Sequence, residues 1–462
     1  MELSLLSKAA MNVVRKLQDS GFKAYLVGGC IRDLLLGKRP KDFDVSTDAT
    51  PEQVHKVFSS NSRIIGRRFK IVHVLFGGDN IIEVTTFRSN SEPPKTNKYS
   101  NRVSGDSGML IRDNVYGKSI VQDSLRRDFT INAIYLDPVK KELYDFNGGL
   151  YDMLHETIDI IGDPLVRYAE DPVRMIRALR FSAKLSFRLS KRTSAPIHEL
   201  KNNLLAVSNA RMFEEVNKLF LSGHGLDSFN ILKEYHIIEL LFPGIKDFLN
   251  NQNYLNFIEY ALKSSDIRYA ENKRNMPHFL YAVMLFSVFN RNVFELRMTS
   301  RSMINPVSTD EIVKLSLDSV FSVQDKITAI PMAVADNIKS IWRNQINLLE
   351  NTGNLEKSDK IYQKLIFRAA FDFMTLRARF EPFLAQSVAF WTPYYEKSKA
   401  LADKRKKLLD EQKQERLKRK LTKKKGKDQK KSGKEFERVT SEERKKQLER
   451  ARAWRKSMNL EV

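Results

Sequence analysis

The 462-residue chain has one cysteine, Cys30. A single cysteine excludes a disulfide framework and a cysteine-ligated zinc site. It fits a reducing compartment, so a cytoplasmic location is expected. Long apolar runs are missing too. The longest, Phe279–Phe289, is about half of what a bilayer-spanning helix needs and reads as a buried core helix. The opening carries acidic Glu2 and no extended apolar run behind a basic start, which reads against a secretory leader. Acid is scarce: 56 Asp and Glu face 79 Lys and Arg, for a net charge of +23. Such an excess points to a polyanionic partner, nucleic acid before an acidic membrane surface. A solubilising role for the basic residues is the plainer alternative. No internal repeat is present. Hydrophobic residues make up 42%, enough to bury real cores, so a wholly disordered chain is excluded. The length predicts two or three domains.

Leu5, Leu6, Ala9, Val13 and Leu17 recur at helical spacing, which predicts an opening amphipathic helix ended by Gly21. A short apolar run, Ala24–Val27, leads to Gly28-Gly29 and a helix over Cys30–Leu36 closed by Gly37. Phe43–Ser46 reads as a strand, and Thr50-Pro51 as the N-cap and first residue of a helix. Ile71–Phe76 and Ile81–Phe87, joined by Gly77-Gly78-Asp79-Asn80, predict a hairpin. Residues 89–107, rich in Ser, Asn, Pro, Lys and Gly, read as a long loop. After Gly162 the apolar spacing turns helical, with no strand pair expected from there to about residue 395. From about Glu396 the chain becomes Lys/Arg-rich. Residues 401–462 hold 24 basic and 11 acidic side chains. That tail reads as solvated coil when free and possible helix when bound.

Four clusters carry chemistry. Asp42-Phe43-Asp44 places two carboxylates two residues apart. In a strand they share a face, a costly arrangement unless a cation neutralises it, and hard oxygen ligands suit Mg²⁺. A solvated surface turn is the plain alternative. Gly28-Gly29, between strand and helix, lets a phosphate approach the backbone amides, with Arg32 one turn on. This is not a Walker A loop, since Arg32 occupies the position of its first glycine. Arg126-Arg127-Asp128 forms the third cluster. Asp171, Arg174, Arg177 and Arg180 form the fourth; spacing of three keeps neighbours on one helix face, where an acid and arginines can read a base edge and clamp phosphates. Either of the last two, taken singly, is equally a surface ion-pair network.

Together, Leu26–Gly37, Pro40–Asp44, Arg126–Ala133 and Glu170–Ala178 resemble the class II tRNA nucleotidyltransferase and bacterial poly(A) polymerase family. The match covers residues 24–183 and continues more loosely to about residue 395.

The resemblance implies an α/β head of polymerase-β nucleotidyltransferase type with a mixed sheet, followed by all-α neck and body domains and the basic tail. The expected boundaries are 1–150 for the catalytic head and 151–225 for a nucleotide-reading neck. A helical RNA-binding body over 226–395 and an RNA-binding tail over 396–462 follow. The implied reaction is attack of an RNA 3′-hydroxyl on the α-phosphate of a nucleoside triphosphate. The implied metal aspartates are Asp42 and Asp44, holding two Mg²⁺ ions, with Mn²⁺ as a substitute. Gly29, Arg32 and Arg127 fall on triphosphate contacts. Asp128 falls on a further essential carboxylate that positions either Arg127 or the ribose. Asp171 and Arg174 match the base-reading pair and Arg177 a phosphate contact; Glu83, from its place on the strand, is a candidate supporting carboxylate. The segment Ile64–Val74, the stretch Glu234–Pro243 and the tail are similar to the poly(A) polymerase branch, which implies a template-independent polynucleotide adenylyltransferase acting on RNA 3′ ends with ATP. A CCA-adding tRNA nucleotidyltransferase is the alternative, and a non-catalytic RNA-binding relative the third reading. No His-Asp dipeptide occurs, so the phosphohydrolase domain of some CCA-adding enzymes is not expected. No membrane partner is expected. RNA-decay proteins or an RNA chaperone stand as candidate protein partners.

Overall fold

The computed structural model describes residues 3–66, 70–77, 80–88 and 116–412, with single positions 415, 446 and 449. The expected loop over 89–107, the middle of the Ile64–Val74 segment and most of the basic tail lie outside the described residues. The chain divides into two compact units, Met1–Arg343 and Asn344–Val462.

The first unit opens with helix α1 (Lys8–Asp19), which buries Ala9, Ala10, Val13, Val14 and Leu17 along one face. Ser7 caps it by accepting from the Ala10 amide, and Gly21 turns the chain at φ +86°. Strand β1 (Ala24–Val27), helix α2 (Gly29–Leu35) and strand β2 (Asp44–Thr47) follow. Helix α3 (Pro51–Phe58) starts as expected: Thr50 and Gln53 form a reciprocal capping box, with Pro51 at the first position. Strands β3 (Ser62–Ile65), β4 (Ile71–Leu75) and β5 (Ile81–Thr86) complete this half of the head, with β4 and β5 forming the expected antiparallel hairpin. Helix α4 (Ile120–Leu125), strands β6 (Ile134–Asp137) and β7 (Glu142–Asp145) and helix α5 (Gly149–Leu154) close it.

The sheet order is β3-β4-β5-β2-β1-β6-β7. Only β2 and β5 pair in parallel, so the head sheet is mixed. The register sorts its faces. Leu26, Val45 and Val84 align across β1, β2 and β5 and are all buried; α1 packs against these same strands. Val27, Asp44 and Glu83 align one residue further along, and alternation puts them on the opposite face.

Helices α6 (Pro164–Glu170) and α7 (Val173–Leu185) lead into the helical region. One detail differs from the sequence reading. A two-residue strand, Arg188–Leu189, pairs in parallel with Thr157–Ile158 inside the stretch expected to be wholly helical. Two residues cannot show a period, so the sequence carries no signal for it. The helix Pro277–Arg301 is long and apolar enough to pass for a membrane span. Its residues Leu280–Leu285 are buried, Phe289 stacks on Trp342 at 4.9 Å, and Trp342 donates from Nε1 to the Ala282 carbonyl at 3.1 Å. It is a core helix, as expected.

The second unit has its own core of Leu348, Ile361, Phe367, Phe371, Met374 and Trp391. The Trp391 indole donates to the Leu348 carbonyl at 2.9 Å.

Candidate active site

The site is built at one end of the sheet, where β1 ends and β2 begins. β2 starts at Asp44, one residue later than expected. Asp42 therefore lies in the approach to the strand, and the shared-face argument holds for Asp44 alone. Asp42 is exposed and Asp44 half-buried. The register sets Asp44 beside Val27 on one side and Glu83 on the other. Burial, then the charge of Glu83, push the Asp44 carboxyl up to about 6; Arg127 pulls it down and Asp42 pushes it up again. Glu83 is flanked across the hairpin by His73, with Nε2 3.3 Å from its Oε1.

Gly28 precedes α2 at φ +82°, a conformation only glycine adopts without strain. A Cβ there would lie 3.7 Å from Arg127 Nη1 and 3.9 Å from Asp44 Oδ2. This glycine thus brings the backbone against both the carboxylate and the arginine. The thiol of neighbouring Cys30 is buried and pushed up to about 12, mainly by burial, so it is inert.

Arg127 is held from two sides. Its Nε donates to the Tyr135 hydroxyl at 2.8 Å, and its Nη2 to Asp123 at 3.2 Å. Tyr135 donates in turn to Asp123 at 2.7 Å. Asp123, buried on α4, also accepts from the Ser46 hydroxyl at 3.2 Å and the Arg88 amide at 3.0 Å. Burial works against the Arg127 charge, but Tyr135 and Asp123 more than offset it and raise its pKa. Sequence reasoning missed Asp123. Its place four residues before Arg127, one turn back on a helix, is the signal that could have found it.

Asp128 is tied to α7. Arg177 donates to Asp128 Oδ2 from Nε at 2.9 Å and also from Nη2. The Phe129 amide and the Asn132 side chain donate to Oδ1 at 2.8 and 3.3 Å. Burial opposes the charge, but Arg177 and these bonds win and hold the carboxyl at about 2. Asn132 also accepts from Arg32 Nη1 at 2.6 Å, and the rest of the Arg32 guanidinium pairs with Asp33. A continuous line thus runs Arg32–Asn132–Asp128–Arg177. The guanidiniums of Arg32, Arg177 and Arg180 surround the Phe181 ring at 5.2, 5.4 and 4.6 Å.

Asp171 and Arg174 are not paired with each other. Asp171 lies before α7, at the C-cap of α6, so it does not share the helix face with Arg174, Arg177 and Arg180. Its two oxygens accept from Arg211 at 2.9 and 2.7 Å. Arg174 donates to the Arg167 carbonyl at 2.7 Å and to Glu170 at 3.2 Å. Arg167 also donates to the carbonyls of Arg126 and Arg127, at 2.9 and 2.7 Å. Arg174 and Arg127 are thereby tied to one network through Arg167, while Asp171 is held separately by Arg211. Arg167 and Arg211 had no separate signal in the sequence, and Glu170 had one only as the first residue of the Glu170–Ala178 motif.

Among the described residues no group of three or more His, Cys, Asp or Glu is arranged to hold a metal ion. The crowding of Asp42 and Glu83 on Asp44 nonetheless creates a carboxylate field that a cation relieves. Mg²⁺ commonly takes one or two protein carboxylates and completes its sphere from water and substrate phosphates. The pair therefore fits that ion.

Three family models match the chain. They are the poly A polymerase head domain over residues 24–159, the probable RNA and SrmB-binding site of polymerase A over 186–249, and the polymerase A arginine-rich C-terminus over 307–452. The chain is 40% identical over 395 residues to poly(A) polymerase I of Haemophilus influenzae, covering 85% of each. It is 36% identical over 251 residues to a CCA-adding enzyme of Lactobacillus helveticus, covering 54% of this chain and 59% of that one. Among solved structures, the Bacillus stearothermophilus CCA-adding enzyme in complex with CTP shares the fold. Its TM-score is 0.53 at 23% identity, over 85% of this chain and 80% of that one.

Proposed function

The chain is a nucleotidyltransferase of the poly(A) polymerase and tRNA nucleotidyltransferase family, and we propose that it adds AMP from ATP to RNA 3′ ends without a template, acting in the cytoplasm. The observation that carries this reading is the match to a poly(A) polymerase I along 85% of both chains, against about half of the chain for a CCA-adding enzyme. The matched arginine-rich C-terminus and the net charge of +23 agree with a partner recognised through its phosphates.

In this mechanism Asp42 and Asp44 would hold Mg²⁺, which would supply the positive charge that favours ionisation of the attacking hydroxyl and balances the leaving pyrophosphate. Gly28 keeps the space beside Asp44 free of a side chain, and Gly29 keeps the space beside the Arg32 guanidinium free. Arg32 and Arg127 present positive charge to the triphosphate; Tyr135 and Asp123 fix where Arg127 points. Asp128 positions Arg177, and through Asn132 also Arg32, so one carboxylate sets two phosphate-facing arginines. Asp171, oriented by Arg211, accepts from the exocyclic amine of adenine, and Arg174 donates to a ring nitrogen. The helical residues 151–225 supply this reading, and residues 226–395 and 396–462 bind RNA. RNA-decay proteins or an RNA chaperone are proposed as candidate protein partners.

The test offers an unstructured RNA and a tRNA lacking its CCA end, with each of the four nucleoside triphosphates separately and with Mg²⁺. Long adenylate tails on both acceptors are expected. Arrest after two cytidines with CTP, and after one further adenosine when ATP is then supplied, on tRNA alone would establish the CCA-adding alternative, and no extension would leave a non-catalytic RNA binder.

A further inference from the structure

The sheet does not fix Asp42. Helix α2 ends at Leu35 and strand β2 begins at Asp44. Between them, residues 39–42 make no backbone hydrogen bond among the described residues. The exposed Asp42 side chain makes no hydrogen bond or ion pair there either. Its charge is nonetheless near enough to act on Asp44. Two side chains hold the connection, one on each side of Asp42. Phe43 is buried. Lys41 donates to the Tyr269 hydroxyl and lies 4.0 Å over that ring, a contact across 228 positions.

Tyr269 sits in a socket shaped for it. It lies near the end of the helix Gln252–Ala270. Its ring rests on Gly223, where a Cβ would come within 2.4 Å of Tyr269 Cδ1. Gly223 also stands at φ +84°, so a side chain there would be strained and would displace the ring. Asp266, one turn back on the same helix, accepts from the amides of Gly225 and Leu226 at 2.7 and 3.0 Å. Residues three apart share a helix face. Ring and carboxylate therefore grip the same turn, at the start of the helix Gly225–Glu234. That helix packs against α7, which carries Arg177. Tyr269 is thus a fixed point, and Lys41 is tied to it by a cation–π contact and a hydrogen bond together.

We infer that Tyr269 is a positioning residue for Asp42: by holding Lys41 it keeps the Arg39–Phe43 connection where the Asp42 carboxylate can share a cation with Asp44. The inference rests on the reading that Asp42 and Asp44 hold Mg²⁺. It makes that end of the site depend on the helix Gln252–Ala270, far in sequence from the aspartates.

The test compares full-length wild type with Tyr269→Phe, Lys41→Met, their double variant, Lys41→Arg and Asp42→Ala. Tyr269→Phe keeps the ring against Gly223 and removes only the hydroxyl, so its melting temperature should match wild type. Mn²⁺ binding is followed without RNA or nucleotide, by loss of the free-ion electron paramagnetic resonance signal. Steady-state rates are measured against Mg²⁺, ATP and RNA. Losing one exposed cation–π contact or hydrogen bond changes an equilibrium constant about two- to fivefold. Mn²⁺ affinity should fall by about that factor in Tyr269→Phe and in Lys41→Met, and the Mg²⁺ concentration giving half the maximal rate should rise to match. The double variant should lose no more than Lys41→Met alone, because both changes break one contact. Lys41→Arg keeps the cation and a donor and should bind Mn²⁺ as wild type does. The ATP and RNA Michaelis constants at saturating Mg²⁺ should hold throughout the Lys41 and Tyr269 variants. Unchanged Mn²⁺ affinity in folded Tyr269→Phe and Lys41→Met, with affinity lost in Asp42→Ala, would overturn the positioning role. A raised ATP or RNA Michaelis constant in Lys41→Met alone would overturn it too, and would make Lys41 a phosphate contact. Mn²⁺ binding absent from wild type, or undiminished in Asp42→Ala, would instead overturn the metal reading itself.

Discussion

Replacing Asp128 by asparagine removes a charge while nearly keeping the shape. The carboxylate stands at about 2 in the folded protein against an ordinary 3.8. That difference makes the charged form worth about 2 kcal/mol to the fold. The side chain is only 15% exposed, so solvent screens little of this. Because the folded pKa is depressed, the contribution is whole above the ordinary carboxylate pKa and disappears as pH falls through about 2. Asp128→Asn should therefore be less stable than wild type by about 2 kcal/mol at pH 7, and by roughly half that at pH 3. Urea melts of both proteins at the two pH values measure it. Arg177 on α7, freed from its anchor Asp128, should also position phosphate poorly, so the ATP Michaelis constant should rise in the same variant. A stability gap that stays constant between pH 7 and pH 3, or no gap at all, would refute the account of Asp128 as a charged clamp on Arg177.

Asp42→Ala and Asp44→Ala should each abolish nucleotide addition at ordinary Mg²⁺ while the melting temperature stays level or rises, because like charges are relieved; near-wild-type turnover in either would disprove the metal assignment. Asp123→Asn leaves one oxygen where four donors converge. It should cost about 1–3 kcal/mol in denaturant melts and raise the ATP Michaelis constant, and a double-mutant cycle with Tyr135→Phe should be strongly non-additive. His224 is buried beside Arg180 and Lys184. Burial first, then the Arg180 charge, lower its pKa from 6.5 to about 4. The unfolded chain therefore takes up the proton first as pH falls from 6.5, and wild type should lose about 3 kcal/mol by pH 4 that His224→Asn does not lose; parallel pH profiles of the two proteins would count against it.

Local chemistry made much of the head legible in the amino-acid order. Thr50-Pro51 with Gln53 specifies a helix start through bonds within one turn, and the glycine-bearing turn between two apolar runs specifies a hairpin. Gly28 needs its positive φ whatever surrounds it. These features depend on neighbours a few residues away, and so do the motifs that identify the family. Contacts between distant residues were decided only by the tertiary structure. The Asp171–Arg211 pair spans 40 positions, Asp128–Arg177 spans 49, and Arg32–Asn132 spans 100. No spacing rule reaches so far, because each partner is chosen by which strand or helix packing brings beside it. The same holds for the Lys41–Tyr269 contact, which spans 228. Residue order supplied the carboxylates, and sheet order decided that Asp44 on β2 stands between Val27 of β1 and Glu83 of β5.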